Sequence, residues 1–196
     1  MKIVVALIGK AGAGKDTIAK RLCQLHPNYN MIISCTTRPM REGEENGINY
    51  YYLSNEEFVT HIINGDMLEA TEFNNWQYGT LKSTLKDGIN IGIFNPEGFC
   101  NLLSEKDLKI IGFLVDCDDK IRLLRQLNRE ESPNVKEIIR RFSADEKDFS
   151  DPYFLNAGGY SVISNNTQQD IVYCVETIQQ HIEILYRYLG QKGLNI

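Results

Sequence analysis

The chain has 196 residues, 42% of them hydrophobic and 24% charged. That is one domain's worth of ordinary globular composition, and it excludes a fibre, a disordered tail and a disulfide scaffold. The net charge of -5, from 26 acids against 21 bases, speaks against a general nucleic-acid binder, which is expected to be basic.

The first run, Ile3-Val4-Val5-Ala6-Leu7-Ile8, is continuous and rich in β-branched residues, as expected of a strand buried on both faces. Like the other apolar runs it is far too short to cross a bilayer. The start of the chain also lacks the longer apolar core and small-residue cleavage site of a signal peptide. Gly9-Lys10-Ala11-Gly12-Ala13-Gly14-Lys15 follows, and then a helical pattern with Ile18, Leu22 and Leu25 on one face. Strand, glycine loop and helix in that order make a phosphate cradle. Glycines let backbone N–H groups curl around phosphate oxygens, the helix N-terminus adds positive potential, and Lys15 would lie against the β- and γ-phosphates. Gly9, Ala11, Gly12, Ala13, Gly14, Lys15, Asp16 and Thr17 are the candidate ATP-binding residues. Asp16 stands where this motif usually has Ser or Thr. It is a candidate ligand for Mg²⁺, the alternative being a first-turn acid that favours the helix dipole.

Met31-Ile32-Ile33 reads as a second strand. Residues 35 to 53 are polar and turn-rich, and Asn46-Gly47 is a hairpin-type turn signal. Ser54-x-x-Glu57 is a capping box opening a short helix that Gly65 can end. Further strands are expected at Ile91 to Phe94, Ile110 to Val115 and Tyr160 to Ile163. Arg122 to Arg141 carries five arginines, and Ser132-Pro133 is expected to restart a helix there. Ile171, Val175, Ile178, Ile182, Leu185 and Leu189 form the stripe of a long last helix. Strands alternating with helices predict an α/β fold, a parallel sheet covered on both sides. The five cysteines (Cys23, Cys35, Cys100, Cys117, Cys174) contain no C-x-x-C pair and read as reduced thiols of a cytoplasmic protein.

Two further blocks carry a family resemblance. Ser34-Cys-Thr-Thr-Arg38-Pro-Met-Arg41-Glu-Gly43-Glu44, with Gly47-Ile-Asn-Tyr50, resembles the acceptor-binding segment of guanylate kinases; so does Glu69 followed by Tyr78-Gly79-Thr80. The resemblance runs from the phosphate loop to about the arginine-rich stretch. It implies a P-loop kinase core with a five-stranded parallel sheet (1–32, 87–121 and 143–196), a nucleotide-binding insert at 33–86 and a lid at 122–142. It implies ATP-dependent phosphorylation of GMP or dGMP with Mg²⁺, and small-molecule nucleotides as partners rather than nucleic acid or a membrane. Arg38, Arg41, Tyr50 and Tyr78 would hold the acceptor's phosphate, Ser34, Glu69 and Thr80 would read guanine, and Lys15, Arg129 and Arg141 would be catalytic, with Arg125 a further lid candidate. Where the family carries two acids after its third core strand, this chain has Ile93 and Asn95, so it resembles a divergent member whose metal carboxylate has moved to Asp16. The alternatives are a kinase of broader (deoxy)nucleoside monophosphate range and a non-catalytic interaction module of the same fold. A GTPase would need N-K-x-D, which is absent from the sequence.

Overall fold

A computed structural model describes residues 1–41, 43–73, 75–129 and 131–191. Glu42 and Asn74, within the two blocks that carry the resemblance, Glu130, within the expected lid, and 192–196, the end of the expected core range, lie outside the described residues. In chain order the elements are β1 (Lys2–Ile8), α1 (Lys15–Leu25), β2 (Asn30–Met31), β3 (Cys35–Thr36), β4 (Tyr51–Tyr52), α2 (Asn55–Ile63), β5 (Met67–Phe73), β6 (Trp76–Leu81), β7 (Gly88–Phe94), α3 (Pro96–Leu102), β8 (Lys109–Asp116), α4 (Asp119–Leu127), α5 (Val135–Phe149), α6 (Pro152–Ala157), β9 (Tyr160–Ser164) and α7 (Gln168–Gln191).

The strands form two sheets. The first has five strands in the order β2-β7-β1-β8-β9, and every pairing in it is parallel. Side chains alternate across a strand, and β1 sorts its residues accordingly. Ile3, Val5 and Leu7 pack with α1 and α7 through Ile18, Leu22, Ile178 and Ile182. Val4, Ala6 and Ile8 pack on the other face with Phe99, Leu102 and Phe154. Both faces are therefore covered, which is why β1 reads as an unbroken apolar run. All five cysteines are free thiols. Among the described residues no helix is long and apolar enough to cross a membrane.

The second sheet has four strands in the order β4-β3-β6-β5. It is mixed: β5, β6 and β3 run antiparallel to their neighbours, while β3 and β4 are parallel. The hairpin expected at Asn46-Gly47 does not form. Gly47 does turn the chain, with φ 79 and its N–H donating to the Tyr50 carbonyl, but the turn lies inside a long crossover between two parallel strands, which a two-residue hairpin cannot make. The helix after Ser132-Pro133 likewise starts later than expected. Asn134 is its cap, accepting from the Glu137 N–H at 3.1 Å, so Pro133 lies outside the helix. The second core strand is shorter than Met31 to Ile33 and shifted back onto Asn30–Met31, although the Ile32 N–H still donates to the Ile91 carbonyl. Other local signals are realised closely: Ser54 and Glu57 form the reciprocal capping box, and Gly65 follows that helix with φ 71.

Arg122 shows how α4 and α5 are joined. Its side chain is fully buried and pairs with Asp119 at 2.7 Å, Asp145 at 3.1 Å and Glu146 at 2.7 Å. Its guanidinium lies 3.6 Å from the Phe142 ring centroid. Removing one partner of a buried ion pair strands the other charges. Asp119 and Glu146 are 60% and 49% exposed and can return to water, whereas Asp145 is only 17% exposed. Arg122→Met is therefore expected to cost about 3 kcal/mol, the lower end of the range for a broken buried pair, measured by urea unfolding.

Candidate active site

The glycine loop leaves β1 at its carboxyl end, beside the middle of the parallel sheet, and enters α1. Gly9, Gly12 and Gly14 have φ of 156, 82 and 97, so the loop needs a residue that tolerates left-handed backbone at Gly12 and Gly14. Space demands glycine as well. A Cβ at Gly12 would collide with the Arg122 carbonyl, and one at Gly14 with the Asn165 side-chain amide. Ala13 is buried beneath the loop, while Ala11 is half-exposed. Lys15 folds back along the loop, its Nζ donating to the Gly9 and Lys10 carbonyls at 2.5 and 3.1 Å. Loss of water around the ammonium lowers its pKa, and Asp16 and Asp145 oppose that shift. Asp16 and Thr17 are exposed on the first turn of α1. The charge of Asp16 adds to the rise in the Tyr50 pKa and opposes the fall in that of Lys15.

Two clusters lie on that second sheet. Glu69 and Thr80 are register partners on β5 and β6. The Thr80 hydroxyl donates to Glu69 Oε1 at 2.8 Å, and both residues are buried. Burial pushes the Glu69 carboxyl up to about 7, with Glu97 adding to the rise and the Thr80 hydrogen bond opposing it. Ser34 precedes β3, where its carbonyl accepts from the Tyr51 N–H. The other cluster is aromatic and cationic. Tyr50 meets Tyr78 edge-on at 6.1 Å, and Arg38 lies 5.6 Å from the Tyr50 ring centroid and 5.7 Å from that of Tyr52. Arg38 is buried and paired with Glu44, while Arg41 is exposed. Burial raises the Tyr50 hydroxyl's pKa, so it remains a hydrogen-bond donor at neutral pH.

The positions of the two substituted acids are informative. Asn95 caps α3, its Oδ1 accepting from the Gly98 N–H at 2.7 Å, and its Nδ2 donates to the Thr71 hydroxyl at 3.1 Å. A Cβ on Gly98 would come within 2.8 Å of Glu69 Oε2 and 2.9 Å of Asn95 Oδ1. Asn95 therefore belongs to the neighbourhood of Glu69. Ile93 is half-buried against the core.

The arginine-rich stretch divides unexpectedly. Arg129 is exposed at the end of α4, and Arg141 donates to Glu137 at 2.8 Å. The arginines that meet the phosphate loop are others. Arg125 Nη1 donates to the Asn165 carbonyl at 2.9 Å and to the Gly12 carbonyl at 3.4 Å. Arg122 holds Asp145, whose carboxylate accepts from the Ala11 N–H at 2.8 Å. Arg140 lies 4.9 Å from the Phe73 ring centroid, and Phe73 in turn meets Tyr78 at 6.5 Å. The long helix α5 thus touches the glycine loop through Asp145 and through Glu146, which accepts from Lys10 at 2.6 Å, and the second sheet through Arg140. Sequence reading assigned no role to Glu44 or Asp145. Glu44 was visible only as part of a Gly-Glu pair, and Asp145 carried no local signal at all.

The architecture and the order of these elements are those of a known family. The chain spans 100% of its own length and 97% of a guanylate kinase structure from Anaplasma phagocytophilum, with a TM-score of 0.66 and 19% identity, a likeness of fold. A guanylate kinase of Clostridium perfringens is 29% identical over 180 residues, covering 90% of this chain and 82% of the relative. Guanylate kinases of Chlorobium luteolum and a Synechococcus are 40% and 44% identical over 89 residues. The chain spans about half the length of those two relatives in these matches. The family model described as guanylate kinase matches residues 1–182, and with a glycine loop, a mixed four-stranded sheet and a five-stranded parallel core, the chain belongs to the guanylate kinase family.

Proposed function

We propose that this protein transfers the γ-phosphoryl group of ATP to GMP or dGMP, giving ADP and GDP or dGDP. A terminal oxygen of the acceptor's phosphate attacks the γ-phosphorus, and the bond to the β–γ bridging oxygen breaks. The observation that carries the reading is the pairing of two clusters on one sheet. Buried Glu69 with Thr80 forms a hydrogen-bonding edge, and Arg38 with Tyr50 and Tyr78 forms a cationic, hydroxyl-bearing one. An ionised carboxylate accepts the N1–H and N2–H₂ donors of guanine together, an edge that adenine lacks. Guanidinium and phenol groups suit a phosphate dianion, and Arg41 would add a second cation from the exposed side. Ser34 would complete the base-reading set.

On the donor side, loop N–H groups between Gly9 and Lys15, apart from those of Ala11 and Ala13 that donate to Asp145 and the Lys10 carbonyl, would cradle the triphosphate, and the Lys15 ammonium would counter charge on its β- and γ-oxygens. Arg129 and Arg141 would join from the lid, along the segment 122–142, leaving Glu137 and solvent for the phosphates. Phosphoryl transfer needs positioning and charge neutralisation rather than a strong base. Mg²⁺ arriving with ATP supplies further charge neutralisation. The residues present fit it: Mg²⁺ keeps several waters and is commonly held by one or two carboxylates with the phosphates, and Asp16 offers one exposed carboxylate with Thr17 next to it. Asp16→Ala is then expected to raise the Mg²⁺ concentration for half-maximal activity by at least about tenfold, the loss typical even of groups that only support a ligand. Unchanged Mg²⁺ dependence would reduce Asp16 to a helix-dipole partner.

The decisive experiment is an ATP-dependent phosphorylation assay over GMP, dGMP, dTMP, AMP, UMP and CMP. Turnover confined to GMP and dGMP supports the reading. Comparable turnover of several bases would favour a broader monophosphate kinase, and absence of both ATP binding and turnover would favour the non-catalytic interaction module. The free thiols suit a reducing, cytoplasmic setting.

A further inference from the structure

A carboxylate placed among the groups that would receive a phosphate dianion is, by charge alone, in the wrong place. Glu44 is such a carboxylate, and the groups that bond it are donors. Its Oε1 accepts from Arg38 Nη2 at 2.9 Å, and its Oε2 from Arg38 Nη1 at 2.9 Å, the Arg41 backbone N–H at 2.8 Å and the Tyr52 hydroxyl at 2.7 Å. These hydrogen bonds, that to Arg38 foremost, hold its pKa down near about 2. It is therefore ionised whenever the protein is folded near neutral pH.

The geometry decides which part of Arg38 is left for a ligand. A guanidinium offers two forks, Nη1 with Nη2 and Nε with Nη2. Glu44 occupies the first, and Arg38 Nη1 also donates to the Pro39 carbonyl at 2.8 Å. Neither Glu44 nor Pro39 engages the second fork, Nε with the remaining Nη2 hydrogen. Arg38 itself is 7% exposed and stands against the Tyr50 and Tyr52 rings. Glu44 thus balances a buried cation, fixes the plane of its guanidinium, and ties down the backbone from which Arg41 projects. Arg38 and Glu44 together are neutral, so Arg41 and the tyrosine hydroxyls supply the excess attraction.

We propose that Glu44 is the positioning residue of the acceptor-phosphate site, holding Arg38, the Arg41 backbone and Tyr52 so that an incoming nucleoside monophosphate finds its arginine fork already aimed. The proposal rests on the reading that this cluster binds the acceptor's phosphate. A group that orders a receptor before binding strengthens binding by removing the cost of ordering it afterwards. Losing it should therefore appear in acceptor affinity rather than in turnover.

The test is Glu44→Gln, which keeps the size but turns an amide N–H₂ toward the Arg38 fork, with Tyr52→Phe, which keeps the ring and removes the hydroxyl that donates to Glu44. The KM for GMP should rise by about ten- to fiftyfold in Glu44→Gln, an arginine's ordering and one charge-assisted fork being lost together. It should rise by a few-fold in Tyr52→Phe. The kcat should stay within about threefold and the KM for ATP should not move. Glu44→Asp, which keeps the charge, should recover part of the loss. Calorimetry with guanosine, which carries no phosphate, separates positioning from folding: its affinity should be the same in wild type and variants. Equal weakening of GMP and guanosine, or an unchanged KM for GMP in Glu44→Gln, would overturn the role given to Glu44. Wild-type protein that binds GMP no more tightly than guanosine would overturn the phosphate-site reading itself, whatever the variants do.

Discussion

Glu69→Gln is expected to lower kcat/KM for GMP by as much as about 10⁴-fold, the penalty of a polar pocket meeting a mismatched edge. Glutamine keeps the shape but replaces one acceptor with a donor, which would then face the N1–H or N2–H₂ of guanine. The site offers no easy relief, because Glu69 is buried and its other oxygen is committed to the Thr80 hydroxyl. Losses should be small for any acceptor lacking guanine's donor edge, and equal losses for all bases would show Glu69 to be structural. The same carboxyl predicts a pH dependence. Its pKa is pushed up to about 7 by burial, so before an acceptor binds it gains a proton as pH falls through 7. The protonated acid has lost an acceptor, so the KM for GMP should rise below pH 7. Glu69→Gln should abolish that limb of the profile. Stability runs the opposite way. The folded state holds the proton more tightly than the unfolded chain, whose carboxyl has the ordinary value of 4.5. Glu69's contribution to stability is therefore greatest at low pH and declines as pH rises from about 4.5 to 7.

Lys15→Met should lower kcat by about a hundredfold or more, since one preorganised charge contact to a transferring group contributes on the order of 3–4 kcal/mol. The Lys15 ammonium is bonded to the Gly9 and Lys10 carbonyls, so it is held where the glycine loop would receive phosphates. Methionine retains the apolar stem and removes the charge. Thermal unfolding of the variant, with a Tm within a few degrees of wild type, separates a catalytic loss from a collapsed loop. Near-normal turnover in a folded Lys15→Met protein would remove phosphoryl transfer from this loop.

These two residues were open to sequence reading for different reasons. Lys15 is local: a strand, a glycine run and a helix are contiguous, and steric rules tie glycine to the backbone it must adopt. Glu69 is distant from Arg38 and Lys15 in the chain, and only the resemblance to a family joined them. The capping box at Ser54 and Glu57, the stripe of the last helix and the buried run of β1 were legible because each reflects a period or a cap within one element. The strand order belongs to contacts between elements, and so does the parallel pairing of β3 with β4. At Asn46-Gly47 the turn preference is realised, but the partner across the turn was decided by the sheet.

By itself the sequence determined the α/β class, the phosphate loop and the identities of the groups that could meet a nucleotide. Hydrophobic period, glycine tolerance and residue chemistry are properties of short segments. Only the tertiary structure decided which charges neutralise one another. Glu44 closes on Arg38 across six residues, Asp145 reaches the Ala11 N–H across 134, and Arg122, one arginine among five in its stretch, is the one buried among acids. A charged side chain's partner is set by where burial strips away water and makes an unpaired charge costly, and that boundary exists only once the sheets and helices have packed.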